Sequence, residues 1–261
     1  MLRRVSFALF VCACAILAFV LPVRSGQLQA VPAALTAPPL TGGPDAFGYT
    51  WDRRAPFQWI DTASGAQVPG GDGICRGPYD IGFAFDFYGV SYTEFNVDTE
   101  GFVAFMPNCS FYGEWVNGII PHRATPNSIV APFWDDLKPV GTAILRFQTL
   151  GAAPHRYLVV EWNGVGHRSD FDHPMTFQVI FYEGSHNIKF QYLSMTANSR
   201  GDAHEATIGI ENQNGTIGLS VSYNQGWLTD GTAILFTHPS VQPTRTPGGR
   251  RVHLPLMVKK G

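Results

Sequence analysis

The sequence lacks most of the short patterns that mark enzymes. It has no C-x-x-C pair for a metal or redox centre, no G-x-S-x-G elbow and no E-x-D-x-E cluster of the kind used by sandwich glycosidases. His204-Glu205 is not followed by the second histidine of a zinc-protease helix. Glu161-Trp162 lies on a predicted strand, where we interpret Glu161 as an isolated acid hydrogen-bonded near the rim. We therefore expect no catalytic residues and no metal centre.

Basic residues are scarce in the body of the chain. Residues 26–239 hold 10 Lys and Arg against all 20 Asp and Glu, a balance of about −10, whereas residues 240–261 hold five basic residues and no acid. An acidic body excludes nucleic-acid binding, because phosphates need a basic face. It fits an extracellular domain or one that takes up divalent cations.

Cysteine is also scarce, and two of the four residues, Cys12 and Cys14, lie in an apolar leader. The remaining pair, Cys75 and Cys109, is expected to form a disulfide in a secreted chain, with Cα atoms 4.4–6.8 Å apart. Two unpaired buried thiols are the alternative.

The ends of the chain differ in composition from its centre. Arg3 and Arg4 precede an almost wholly apolar run from Val5 to Val23, which is typical of a signal peptide, and an uncleaved membrane helix is the alternative. We divide the chain into a signal peptide (1–25), a flexible spacer (26–46), one domain (47–239), a Pro/Gly linker (240–251) and a short basic-apolar tail (252–261). We expect the tail to be exposed; docking as an edge strand is the alternative.

Sustained helical periodicity with capping signals is absent, and period-two alternation replaces it. Phe83-Ala84-Phe85-Asp86-Phe87 places three phenylalanines on one face and Asp86 on the other. The turn at 183–187 predicts an antiparallel hairpin between 175–182 and 188–192, and 212–215 predicts a tight turn between two later strands. The segment 166–174 is expected to be a loop. The pattern predicts an all-β antiparallel sandwich of about twelve short strands.

The run SIVAPFWDDL, residues 128–137, combines buried-strand residues with two adjacent carboxylates. Pro132 places this strand at a sheet edge, at a strand start or at a bend. Asp135 and Asp136 could join Asp98 or Glu100 around calcium, which needs six to eight oxygen ligands. We favour the alternative in which they accept backbone N–H bonds at the strand end, because adjacent strand side chains point to opposite faces.

A long loop from Pro107 to Asn127 is the best binding candidate, because loops of about 20 residues are usually functional. Its aromatic residues could stack on sugars or anchor a protein, or could fold back over the sandwich edge. A second polar cluster lies between two strands, where turn chemistry explains it better than metal binding does. The loop residues singled out are Phe111, Tyr112, Trp115, Asn117 and His122; those of the cluster are His167, Asp170, Asp172 and His173.

Five stretches, in order, resemble the nidogen-like (NIDO) domain of extracellular adhesion and matrix proteins and of secreted bacterial proteins. They are residues 83–105, 128–137, 157–165, 175–192 and 206–216. Two departures stand out: Asp98-Thr99-Glu100-Gly101 occupies a position where the family often has an Asn-Gly turn, and EGF-like modules are lacking.

The resemblance implies a secreted or cell-surface, non-catalytic domain in adhesion or extracellular assembly, with a protein or glycan as partner. The alternatives are a carbohydrate-binding module that uses the 107–127 loop and an accessory domain of a secreted hydrolase system. Tyr112, Trp115, Asp135 and Asp136 are the binding residues we single out. We predict no cofactor, with calcium as the open alternative, and the sequence does not fix the oligomeric state.

Overall fold

Two antiparallel sheets hold the strands that the sequence predicts. The computed structural model describes residues 37–107, 109 and 113–241. In spatial order the larger sheet contains β1 (Thr41–Gly42), β2 (Thr50–Asp52), β14 (Ala233–Thr237), β11 (Ile188–Ser194), β10 (Asp170–Tyr182), β9 (Tyr157–His167), β8 (Leu137–Leu150) and β3 (Ala66–Val68). The smaller sheet contains β13 (Gly218–Tyr223), β12 (Thr207–Glu211), β7 (Ile129–Trp134), β6 (Phe102–Ala104), β5 (Val90–Asp98) and β4 (Cys75–Phe87).

The predicted all-β antiparallel sandwich is confirmed, with fourteen strands among the described residues rather than about twelve. Several strands are long: β4, β8, β9 and β10 have 11–14 residues each. The described part of the chain contains no helix that is long and apolar enough to cross a membrane. The predicted signal peptide and the 252–261 tail lie outside the described residues.

Aromatic residues fill the space between the sheets. Phe83, Phe85 and Phe87 are buried on one side of β4, as their alternation predicts. From the facing sheet, the ring of Trp162 stacks on that of Phe177 with 5.1 Å between centroids. Burying such large side chains is the main favourable contribution to folding, since each removes 150–250 Å² from water. Other wholly buried core members are Tyr49, Phe95, Phe133, Phe181, Tyr192 and Phe236.

Both hairpins that we predicted from turn residues are present. β10 and β11 pair across the 183–187 turn, and β12 and β13 pair across residues 212–217. The prediction of a loop at 166–174 is wrong, because β9 continues to His167 and β10 starts at Asp170. The register of that hairpin is irregular between Asp170 and Met175, so the residues that read as turn formers lie in a bulged strand end.

The predicted spacer, residues 26–46, is also partly folded. Thr41 and Gly42 pair with β2 as β1, and the Asp45 side chain accepts the backbone N–H groups of Phe47, Gly48 and Tyr49 at 2.8–3.0 Å. The folded domain therefore begins before residue 47.

Strand β7 lies inside the smaller sheet, between β6 and β12, and not at an edge. Pro132 is accommodated by a register shift: Ala131 faces Gly209 and Trp134 faces Thr207, so β7 carries one extra residue there. The Pro132 carbonyl accepts a 2.7 Å hydrogen bond from the hydroxyl of the core residue Tyr192. Pro132 allowed three alternatives: a sheet edge, a strand start or a bend. The structure has the third, in the form of this register shift.

The sandwich has two ends, which β9 connects. At one end, which we call the cleft end, lie the turns at 99–101, 135–136 and 168–169. The opposite end carries the turns at 151–156 and 183–187 together with residues 238–241. At about 3.3 Å per residue, the eleven residues of β9 separate the two ends by roughly 35 Å.

Candidate functional site: an acidic cleft beside Trp115

The turn between β5 and β6 forms the floor of the cleft end. Asp98 Oδ1 accepts the N–H of Glu100 at 2.9 Å, and the Gly101 N–H donates to the Asp98 carbonyl. Gly101 has a φ of +85°, in the left-handed region that favours glycine. A Cβ on Gly101 would lie 1.8 Å from the carbonyl oxygen of Phe133, so this turn needs glycine for space as well.

Glu100 is wholly buried and is held by two distant segments. Its Oε1 accepts the N–H of Gly73 at 2.8 Å and its Oε2 accepts the N–H of Leu137 at 2.6 Å. Burial raises the pKa of Glu100 to about 9 and that of the wholly buried Asp98 to about 7. Negative neighbours contribute to both shifts: Asp98 and Asp136 act on Glu100, and Glu114 acts on Asp98.

Asp135 and Asp136 follow β7 and diverge, as expected for adjacent residues of a strand. Asp135 Oδ1 accepts the N–H of Asp136 at 2.9 Å, which is the bond at the strand end that we favoured. Asp135 is buried, with this Oδ1 3.5 Å from His167 Nε2. Asp136 is half-buried, with Oδ2 3.8 Å from Arg168 Nη1, and burial is the main reason that its pKa is raised.

The long loop covers the outer face of the smaller sheet. Trp134 Nε1 donates to the Glu114 carbonyl at 2.6 Å, and Glu211 accepts the His122 N–H at 2.6 Å. Ile120 and Cys109 join a second apolar cluster on that face. The described residues of the loop therefore cover this face of the sheet, which explains why the loop is long. Because its base is fixed, the half-buried Trp115 lies at the cleft end. The other predicted aromatic binding residue, Tyr112, lies outside the described residues.

These segments enclose a shallow cleft of about 200 Å³. Its lining residues are Asp72, Gly73, Glu100, Trp115, Asp136 and Arg168. The structure therefore brings Trp115 and Asp136 together from separate parts of the sequence, while Asp135 lies behind them against His167. Arg168 and Asp72 were not anticipated. The glycine-rich run that contains Asp72 signals a turn, but nothing local indicates which turns meet it.

These carboxylates are not arranged as ligands of one metal ion. Among the described residues, no group of three or more His, Cys, Asp or Glu side chains is placed to hold a metal ion. The other polar cluster is dispersed as well: His167 is buried near Asp135, whereas His173 pairs with Asp170 at 2.9 Å on the surface.

Two arrangements elsewhere have features of active sites. The acid singled out on β9, Glu161, is buried and accepts hydrogen bonds from Thr62 and Asn163, so its carboxylate is used within the protein. At the opposite end, His238 bonds Ser240 Oγ at 2.7 Å through Nδ1 and Asp86 at 3.0 Å through Nε2. The Ser240 backbone N–H donates to the same Nδ1 at 3.2 Å, which is the geometry of a local turn that closes the sandwich.

The predicted disulfide is present at the cleft end. Cys75 at the start of β4 is bonded to Cys109 in the long loop, with 5.7 Å between their Cα atoms. This bond fixes the loop to the sheet a few residues before Trp115. It fits an oxidising environment, where disulfides form and persist.

Fold and site together define a disulfide-bonded β-sandwich of the extracellular kind with an acidic, aromatic cleft at one end. A family model described as NIDO related matches residues 48–244, well over half of the chain. The chain belongs to this family, whose domain type is generally extracellular, and the resemblance drawn from the sequence is confirmed. No curated protein and no solved structure matches the chain.

Proposed function

We propose that the chain is a secreted, non-catalytic domain that acts in cell-surface adhesion or extracellular assembly, with the cleft as its binding surface. The observation that carries this proposal is the convergence of Trp115, Glu100 and Asp136 on one cleft at the end of the sandwich. An aromatic ring among fixed polar groups is a common composition for a recognition surface.

The chemistry of the cleft supports binding rather than catalysis. Both oxygens of Glu100 already accept backbone N–H bonds, so this carboxylate supports the cleft instead of exchanging protons with a substrate. The larger cavity, about 650 Å³ at the opposite end, offers mainly an ion pair between Arg156 and Glu183 that is already satisfied internally.

A carbohydrate-binding module is the second candidate. The presence of Trp115 in the cleft favours it, because sugars stack on aromatic rings while carboxylates and Arg168 can bond their hydroxyl groups. A glycan array on the wild-type protein and on Trp115→Ala would detect this function.

The test of the main proposal is binding of the purified domain to intact cells of the source organism. We expect Trp115→Ala and Asp136→Asn each to reduce binding at least fivefold, because both alter the cleft. Tyr223→Ala, which removes an exposed aromatic residue outside the cleft, is the matched control. Full binding by both cleft variants, with native circular dichroism, would refute the proposal.

A further inference from the structure

A second pocket, which we call the Arg53 pocket, lies near the edge of the larger sheet that ends in β1 and β2. Its volume of about 400 Å³ is within the range of roughly 300–1,000 Å³ typical of ligand pockets. The polar and aromatic residues that line it are Arg53, Arg54, Trp227, Thr229, Asp230 and Thr232. Among the described residues, none that lines this pocket also lines the acidic cleft, so the two are separate sites.

The charge of the half-buried Arg53 is not compensated within the described part of the chain. Its Cζ lies 5.0 Å from the centroid of the Trp227 ring, and the Trp227 N–H donates to Ser222 at 3.0 Å, which fixes the ring beneath the guanidinium. Arg53 Nε is buried without a hydrogen-bond partner, and no carboxylate of the described residues forms an ion pair with this guanidinium. The donors left to the pocket are therefore those of the two Nη groups, on a side chain that its stacking holds in place.

The other charged groups of the pocket already have partners. Arg54 makes a two-point contact with Asp52, with Nε 3.0 Å from Oδ1 and Nη2 2.8 Å from Oδ2. Asp230 accepts two backbone N–H bonds and one hydroxyl bond from the residues just beyond β11, at 2.6–3.0 Å. Of the charged groups that line the pocket in the described part of the chain, Arg53 is thus the one whose head makes no ion pair or hydrogen bond within the protein.

A single carboxylate suits this pocket. The planar guanidinium fork binds a carboxylate through two parallel N–H···O bonds. One uncompensated positive charge balances one carboxylate, whereas a phosphate monoester carries about −1.5 to −2 at pH 7. The hydroxyl groups of Thr229 and Thr232 lie 3.2 Å apart in the same lining, and each keeps a lone pair for a further hydrogen bond. The ligand should therefore combine a carboxylate with hydroxyl groups.

We propose that the Arg53 pocket binds the carboxylate of a hexuronate residue in an extracellular polysaccharide, with Arg53 as the anchor. The two threonine hydroxyl groups and the exposed Asp230 would bond the hydroxyl groups of the sugar. A glutamate side chain of a partner protein would satisfy Arg53 but would leave these groups without partners, so the sugar is the better fit. This site is additional to the cleft and goes beyond the proposed function.

The experiment follows the indole N–H resonance of Trp227 by NMR while sodium D-galacturonate or D-glucuronate is added. Trp227→Phe assigns the resonance and still places a ring beneath Arg53. The methyl ester of galacturonic acid is the neutral counterpart, and acetyl-Gly-Glu-Gly-amide carries a carboxylate on a peptide. We expect both uronates to shift the resonance, with at least tenfold weaker binding of the ester and of the peptide.

Variants of the anchor test its role. Arg53→Gln, with native circular dichroism, should bind the uronates at least tenfold more weakly than wild type. Arg53→Lys keeps the charge without the fork and should bind at least threefold more weakly. Arg123→Gln, which removes an exposed arginine outside this pocket, is the matched control and should bind normally.

Several outcomes would overturn the inference. An equal response to the methyl ester would show that the carboxylate is not recognised. Tighter binding of the glutamate peptide or of inorganic phosphate than of the uronates would assign the pocket to an acidic protein or to a phosphate ligand. Equal losses in Arg53→Gln and Arg123→Gln, or silence toward all probes, would also refute it. Cell binding that depended on Trp115 would leave the proposed function standing in each case.

Discussion

Trp134 Nε1 donates a 2.6 Å hydrogen bond to the carbonyl oxygen of Glu114, 20 residues earlier in the chain. This bond joins the last residue of β7 to the residue before Trp115. The ring of Trp134 also packs against Phe102 of the neighbouring strand, with 5.8 Å between centroids. The position of the cleft tryptophan is therefore set by a second tryptophan that does not line the cleft.

The first prediction concerns this bond. Trp134→Phe should lower the free energy of unfolding by about 1–3 kcal/mol, because a buried carbonyl loses its donor. It should also weaken cleft binding, since Glu114 and Trp115 lose their anchor. Urea unfolding and the cell-binding assay measure the two effects. Trp227→Phe, which removes a bond to Ser222 outside the cleft, should leave binding unchanged; unaltered binding by Trp134→Phe would contradict the link.

The second prediction is a fall in stability with rising pH. The pKa of Asp98 is raised to about 7 by burial, against about 3.9 in an unfolded chain, so the folded state keeps a proton that the unfolded state has lost. A group whose pKa is raised in this direction makes the free energy of unfolding decrease as pH rises, here from about pH 4 to about 7, by up to about 1.4 kcal/mol per unit. Because the pKa of Glu100 is about 9, the free energy of unfolding continues to decrease toward pH 9.

Asp98→Asn tests the assignment, since the amide oxygen keeps the Glu100 N–H bond and the charge is lost. The variant should be more stable than wild type above pH 7 and should approach it near pH 4. Urea titrations at one-unit intervals measure this. Parallel profiles for the two proteins would show that Asp98 does not cause the fall.

The third prediction concerns the disulfide. Cys75→Ser/Cys109→Ser should lose about 3–4 kcal/mol of unfolding free energy, the chain-entropy expectation for residues 34 positions apart. Because the bond fixes the loop that carries Trp115, binding should fall with it. Thermal unfolding with and without reductant, compared with the double variant, provides the measurement; an unchanged melting temperature on confirmed reduction would exclude a stabilising role.

The fourth prediction concerns Gly101. Gly101→Ala should cost about 2 kcal/mol or more, or prevent folding, because its Cβ would overlap the Phe133 carbonyl at 1.8 Å. Gly231→Ala is the matched control: its φ of +75° is similar, but nothing lies within 4 Å of the added Cβ. The control should lose only the free energy that a residue with a Cβ pays for a left-handed backbone conformation, about 1–2 kcal/mol. Equal losses in the two variants would mean that the overlap is relieved.

Local pattern was sufficient to predict much of the sandwich. The aromatic alternation of Phe83, Phe85 and Phe87 faces the core, because every second residue of β4 from Ile81 to Phe87 is buried. The 183–187 turn joins two strands with a clear period, and its hairpin is present. In contrast, the sequence of 166–174 predicts a loop because most of its polar residues, though not the buried His167, lie on bulged strand ends that project into solvent.

The site could be predicted only in part, because its geometry depends on distant segments. Trp115 and Asp136 were identified as separate candidates, and nothing local indicated that they meet. Burial of Glu100 depends on N–H groups from Gly73 and Leu137, which lie 27 and 37 residues away. A carboxylate in a turn ordinarily faces solvent, so its inward position follows from tertiary structure alone.

The course of β9 determines how the domain presents its cleft. Residues 238–241 lie beside the 183–187 turn, where the rings of His186 and His238 are 5.5 Å apart, while the cleft lies at the other end of β9. Residues 238–241 therefore lie roughly 35 Å from the cleft, about the length of β9. A partner bound in the cleft would contact the domain at the end opposite to these residues, and the two ends could be altered separately by mutation.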